Sequence, residues 1–211
     1  MTSSQPATDQ IINLVANVIT PLFTVERTMV MPFDKARHEN DGEHSLALTI
    51  LACALAEKLD SSLDTGKIAK YAAVHDIVHI HSGDVSVWEP VEAQRQHATD
   101  EELAADQILK DFPMFPWIIR TYNEYELRDT PEKRFVHALD KIYPHILILT
   151  GNHHPVKPSW EAYSRREKIV RTEIALSSTL LPLFDDLCTK FRQNSHFFST
   201  PIPPNEQNHR D

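Results

Sequence analysis

Apolar residues recur at helical spacing from Asp9 to about Asn194, and no stretch alternates strictly for long enough to demand a sheet. The first stripe, Ile11, Ile12, Val15, Val18, Ile19 and Leu22, predicts a helix ending near Pro21. Asn40 followed by Glu43 has capping-box spacing, so a second helix is expected to begin at Glu43–His44. It would carry Leu46, Ala47, Ile50, Leu51, Ala54 and Leu55 on one face as far as Leu59. A third, from Thr65 to about Val78, holds Ile68, Tyr71, Ala72 and Val74. The polar run that follows, His79, His81, Ser82, Gly83 and Asp84, reads as loop.

Thr99 with Glu102 repeats the capping-box spacing and predicts a helix start there, with a stop before Pro113. Pro116 suits the first turn of a helix bearing Trp117, Ile118, Tyr122 and Tyr125. Thr130-Pro131-Glu132 signals another start, for a helix through Phe135, Val136, Leu139 and Ile142 towards Gly151, kinked by Pro144 just after Asp140. The stretch from Trp160 to Arg192 is again helical, broken or bent at Pro182. Beyond Phe198 the chain is Pro-rich and polar. The expectation is one helical domain over residues 1–198 and a disordered tail over 199–211, with no internal repeat and no second domain.

Composition agrees with a single helical domain. The chain has 211 residues, and only 4 Gly stand against 14 Pro, which disfavours a Gly-rich sandwich or a dinucleotide-binding fold with glycine turns. The formal net charge of −9 opposes tracking nucleic-acid backbones. A small anionic substrate stays compatible, because a metal ion or two local arginines can reverse the field inside a cleft. Cys53 and Cys188 sit in apolar helical contexts and read as free thiols, which suits a reducing cytoplasm. The first ten residues lack the features of a secretory signal, and no segment approaches about 18 uninterrupted apolar residues, so neither export nor a membrane span is expected.

Of the 12 His, several stand where helices begin or end. His44 opens the second predicted helix, His75 and Asp76 close the third, and Asp140 lies among Leu139 and Ile142. Imidazole and carboxylate both suit a divalent ion of borderline hardness, and neither is comfortable unpaired in a core. Converging helices could gather these four around one ion. Spacing alone leaves open that they are satisfied core or surface residues.

The strings Arg37-His38-Glu39-Asn40-Asp41-Gly42-Glu43-His44-Ser45-Leu46, Ala73-Val74-His75-Asp76, Ser82-Gly83-Asp84 and Ala138-Leu139-Asp140-Lys141 resemble the HD-domain phosphohydrolase superfamily. Within it the likeness is closest to the HD-type 5′-deoxynucleotidases, and it runs from about Arg27 to about Ile148. The resemblance implies an all-α HD helical bundle in which His44, His75, Asp76 and Asp140 hold a divalent ion (Mn, Co, Mg, Zn or Fe). It implies a pocket role for Asp84, near the sugar or the attacking water, which a turn-capping aspartate would not need. Glu124 and Glu126 resemble an acidic pair of the family, although by spacing they also suit a solvated helix face. Arg27 matches an arginine that holds the substrate phosphate, with Arg37 and Lys35 adding to the positive field.

The chain departs from that pattern in two places. Three residues after the HD aspartate the nucleotidases carry a glutamate, and here the position is His79, which can still move protons near neutral pH. Val30 stands where relatives carry a tryptophan against the sugar, so no preference for deoxyribose is implied. Other branches of the superfamily are dinuclear, and His79, His81 and His153 or His154 could serve a further ion.

The expected function is hydrolysis of a phosphomonoester, a (deoxy)nucleoside 5′-monophosphate above all, by water activated at a metal. The alternatives are a diiron HD-type oxygenase and a degenerate HD module that binds a nucleotide or a partner chain without catalysis. No covalent nucleophile stands out, and Gly42, Gly66, Gly83 and Gly151 allow no phosphate-cradling glycine loop. Apolar helix faces between Trp160 and Leu187 suggest a homodimer.

Overall fold

Helix α1 (Thr8–Leu14) runs on through a π-helical turn, Val15–Ile19, and a 3-10 turn, Thr20–Phe23, whose early Pro21 lacks an N–H that a helix start does not need. The computed structural model describes residues 7–206. The chain then forms a feature that the apolar pattern did not announce. Strands β1 (Glu26–Met31) and β2 (Asp34–Asn40) pair as an antiparallel hairpin with Glu26 opposite Asn40 and Val30 opposite His38. Most of β2 is polar and solvent-facing, so it has no apolar alternation to betray it.

Helix α2 (Asp41–Leu59) starts two residues ahead of the expected position. The Glu43 backbone N–H donates to Asn40 Oδ1 at 2.9 Å, and the Asn40 N–H donates to Glu43 Oε2 at 3.2 Å. That reciprocal pair makes Asn40 the cap itself and Asp41 the first helical residue. Helix α3 (Thr65–Val74) is capped by Asp64. A tight turn leads to α4 (His79–Ser82), a short helical piece where loop was expected, and Gly83 ends it at φ 73°, a left-handed value that glycine adopts without strain.

Helix α5 (Val91–Asp111) corrects another expectation: it passes straight through Thr99, whose hydroxyl bonds the Arg95 carbonyl within the helix instead of capping a new one. Helices α6 (Trp117–Glu126) and α7 (Pro131–Gly151) begin as expected, and α7 stays helical past Pro144. Ser159 caps α8 (Trp160–Ile174), and α9 (Leu181–Arg192) takes Pro182 into its first turn, so the break falls before that proline. No helix among the described residues is long and apolar enough to cross a membrane.

Helix α7 is the central element. Phe135, Leu139 and Ile142 are fully buried against Leu48 and Ala52 of α2, Ile68 of α3 and Phe184 of α9. Each such side chain contributes about 1.5–3 kcal/mol on burial. A neighbouring cluster, Val18, Val74, Val78, Ile108 and Ile119, locks the α3–α4 turn against α5 and α6. Between these cores the start of α2, the end of α3 and the middle of α7 bring polar side chains together.

Of the apolar residues between Trp160 and Leu187, Trp160, Tyr163, Val170, Phe184 and Leu187 pack within the chain, while Ile169 and Leu176 are exposed. The expected disorder after Phe198 is also corrected for the described part. Ser199 N–H donates to the Pro158 carbonyl, Trp160 N–H donates to Thr200 Oγ1, Ile202 is buried, and Trp160 Nε1 donates to Glu206 Oε2 at 2.8 Å. Residues 207–211 of the expected tail lie outside the described residues.

Candidate metal centre

Capping decides where the first ligand stands. Because Asn40 closes the α2 N-terminus, His44 falls in the first turn on the buried side, with none of its surface exposed. His75 ends α3 and Asp76 begins the turn beyond it, and the apolar stripe of α7 carries Asp140 in from the opposite wall. Their ring nitrogens and carboxylate oxygens converge. His44 Nε2 lies 3.0 Å from Asp140 Oδ1 and 3.9 Å from Asp76 Oδ2; His75 Nε2 lies 3.0 Å from Asp76 Oδ2 and 3.7 Å from Asp140 Oδ1.

Two observations suit this quartet to a divalent ion. The His75 Nδ1–H donates to the Ala72 carbonyl at 2.9 Å, which leaves Nε2 as the ring nitrogen that faces the carboxylates and is free for an ion that displaces its proton. That Nε2 is buried and, despite its closeness to Asp76, not aligned for any hydrogen bond. Each imidazole Nε2 lies within 4 Å of an oxygen of both carboxylates, and His44, His75 and Asp140 present atoms within 4.8 Å of one another, the chemistry of a site for a borderline-hard cation.

Without a cation the cluster is held by protons and one guanidinium. Burial disfavours charge on His75, but Asp76 and Asp140 outweigh it and push the imidazolium up to about 10. Burial likewise disfavours ionised Asp76, yet His75, His79 and Arg27 hold it well below the usual carboxylate range. Lys141, whose Nζ lies 3.0 Å from Asp140 Oδ2, does the same for Asp140 together with both histidines.

A ring of buried groups that the sequence reading did not single out supports the quartet. Glu39, on the inward side of β2, places Oε2 3.3 Å from His44 Nδ1. Asp41, fully buried, accepts from Arg27 at 2.8 Å and contacts His79 Nδ1 at 3.0 Å. Arg27 reaches across from β1 and also donates to Asp76 Oδ2 at 2.6 Å. The signal for Glu39 and Asp41 was strand alternation around Asn40, visible only once β2 is recognised.

His79 stands at the cluster's edge, its Nε2 3.9 Å from Asp76 Oδ1 and 3.2 Å from Glu101 Oε1. Glu101 also meets His97 Nε2 at 3.1 Å. His79, His97 and Glu101 form a second group of potential ligands, and the spacing of His97 and Glu101, four residues apart on one face of α5, was the overlooked clue. The other histidines expected to assist stand elsewhere: His81 lines a separate cleft with Gln10 and Asn17, and His154 lines the main pocket.

That pocket opens directly beside Asp140. Asp84, delivered by the Gly83 turn, shares its wall with Arg27, Lys141 and Trp88, and burial pushes the Asp84 carboxyl up. His154 faces Trp88 with ring centres 5.9 Å apart; its Nδ1 accepts the Val156 and Lys157 N–H groups, and burial pushes its pKa down to about 4, so the ring is neutral.

Three predicted site residues are not brought in. Arg37 is tied to Glu43 at 2.8 Å on the outer face of the hairpin, and Lys35 is exposed near its tip. Glu124 pairs with Lys70 at 3.1 Å on the surface of α6. Lys35 and Arg37 lie where the β1–β2 pairing is irregular, between Asp34 and His38, and Glu124 lies on the solvent side of α6.

The family model for the HD domain matches residues 20–177, most of the chain and the span that holds His44, His75, Asp76 and Asp140. The chain belongs to the HD domain family. This HD domain is similar in fold to a crystal structure titled a predicted metal-dependent phosphohydrolase from Magnetospirillum magnetotacticum MS-1. The TM-score is 0.72 at 24% identity, over 90% of this chain and 94% of the other. No curated protein matches. The match of the HD domain to residues carrying His44, His75, Asp76 and Asp140 agrees with the all-helical reading of the sequence.

Proposed function

We propose that this HD domain is a metal-dependent phosphohydrolase that cleaves a phosphomonoester, with (deoxy)nucleoside 5′-monophosphates as the substrate class. The observation that carries the reading is the convergence of four buried side chains from α2, the α3–α4 turn and α7, with His75 Nε2 buried between the two carboxylates and making no aligned hydrogen bond. The similar fold of a protein titled a predicted metal-dependent phosphohydrolase supports it. A divalent cation bound by His44, His75, Asp76 and Asp140 supplies Lewis acidity, making water a stronger acid and neutralising charge on the phosphoryl group.

The chain's own groups do the rest. Arg27 offers the guanidinium that balances phosphoryl charge, and its Nε is buried without a hydrogen-bond partner. Asp84 and His79 flank the ligands and carry the proton to or from water or the leaving oxygen. Trp88, Met29 and Val156, with neutral His154, give the pocket a flat, largely apolar wall suited to the organic part of the substrate.

The test is phosphate release from a panel of nucleoside mono- and triphosphates and sugar phosphates, with Mn, Co, Mg, Zn and Fe supplied in turn. Release from 5′-monophosphates, abolished in Asp76→Asn, is the expected result; no release with any ion overturns the reading. A second reading is favoured by the His79, His97 and Glu101 group, which could hold another ion next to Asp76. Two irons per chain with oxygen consumption would establish a redox enzyme in place of a hydrolase.

A further inference from the structure

A second cleft lies on the other side of Lys141 from the main pocket, with a volume of about 350 Å³. In a chain with 30 acidic and 21 basic residues, its lining inverts the balance: Arg128, Lys141, Arg166, His97 and His137 against Glu173 alone. Some of that charge is answered locally. Arg128 pairs with Glu126 at 3.2 Å, Lys141 with Asp140 at 3.0 Å, and His137 with Glu173 at 3.5 Å. Arg166 is different. Its Nε is buried with no hydrogen-bond partner, and its side chain borders both this cleft and the main pocket. A buried guanidinium donor left unmet is unfavourable unless a ligand meets it.

We infer that this cleft is a second anion subsite and that the substrate carries a second phosphoryl group, held by Arg166 and Lys141 while the first lies at the four ligands. The inference rests on the phosphohydrolase reading and narrows its substrate class to bisphosphorylated compounds. Lys141 joins the two subsites, because it contacts the ligand Asp140 and lines both cavities. A phosphoryl group suits the subsite better than a carboxylate. Its three terminal oxygens spread tetrahedrally and can take donors from several walls, whereas a carboxylate offers two oxygens in one plane. The organic part of the molecule would then lie along the Val85 and Val87 segment, which borders both cavities.

The test compares a nucleoside 3′,5′-bisphosphate with the matching 5′-monophosphate, each carrying a non-hydrolysable methylenephosphonate in place of its 5′-phosphoryl group, by titration calorimetry on metal-loaded wild-type protein, where no turnover intervenes. The bisphosphate is expected to bind at least tenfold more tightly. In Arg166→Gln that advantage should fall below twofold, and Arg166→Lys should restore part of it. Equal affinities in the wild type, an advantage that survives Arg166→Gln, or no binding of either compound overturns the inference. Failure of the hydrolase reading looks different: the affinity difference stands, yet neither parent phosphate releases phosphate with any ion.

Discussion

His44 Nε2 and Asp140 Oδ1 lie 3.0 Å apart although 96 residues separate them in the chain. One enters from the first turn of α2 and the other from the middle of α7, and the packing of those two helices sets the distance. Both side chains are buried, and the apolar core that packs α2 against α7 holds them in this arrangement. Preorganisation of this kind reduces the ordering that an ion must impose when it binds.

Removal of either member is therefore expected to abolish tight metal binding while leaving the helices in place. His44→Ala and Asp140→Asn should each leave less than a tenth of the wild-type metal content after dialysis, measured by elemental analysis, with far-UV circular dichroism unchanged. Asp140→Asn has an added effect, because Lys141 then loses the carboxylate that its Nζ contacts.

Glu39 touches no proposed ligand position except through His44, whose Nδ1 lies 3.3 Å from its Oε2. A carboxylate behind a ligating imidazole fixes the ring and raises its basicity. Glu39→Gln is expected to weaken metal affinity by about 10–100-fold, the usual effect of such partners. Competition with a chromophoric chelator measures it. An unchanged affinity would make Glu39 only a neighbour of Arg27.

The protonated cluster gives the metal-free protein a distinctive dependence on pH. His75 is raised from 6.5 to about 10 in the folded chain, so its contribution to stability is complete below pH 6.5 and is lost as pH rises through 10. Asp76 and Asp140 are shifted the other way, and both contribute fully throughout that window. The melting temperature of the metal-free protein should fall between pH 7 and pH 10, and saturating metal should flatten the slope because it takes the place of the proton on His75. A melting temperature independent of pH over that range would contradict the assignment.

How much of this was legible beforehand follows from which signals are local. The caps at Asn40 and the Thr130-Pro131 start are short-range and were read from a few residues; the four proposed ligands came from the resemblance, each in a short motif. The hairpin was illegible because β2 exposes most of its polar residues and buries Glu39, the reverse of an apolar strand. Glu39, Asp41 and Glu101 were missed for the same reason: acidic residues read as solvated until their partners across the fold are known. Arg37, Lys35 and Glu124 failed in the other direction. Charge type alone could not say that the fold would leave all three outside the pocket.

The segment after Phe198 offers a separate test of packing. Its Thr200 and Glu206 side chains accept both N–H groups of Trp160, and Ile202 is buried with Phe198 and Phe197. Truncation after Phe198 exposes that cluster and leaves the indole N–H without its carboxylate. The loss should be about 2–4 kcal/mol, from one buried aliphatic side chain and one or two hydrogen bonds. Urea denaturation measures it, and a loss below 1 kcal/mol would mean that the segment contributes little.

Asn40 links the first capping contact to the metal centre. Its side chain satisfies the Glu43 N–H, so it fixes where α2 begins and, one residue later, where His44 points. Asn40→Ala removes that acceptor and is expected to cost about 1 kcal/mol of stability. A purely structural cap would stop there. Here the first turn also carries His44, hence fraying should lower metal affinity as well, and Asn40→Asp, which keeps an acceptor oxygen, should restore both quantities. Denaturation and chelator competition on the same three proteins separate the outcomes: a loss of stability with metal affinity intact would show that His44 is held by its core neighbours and not by the helix start.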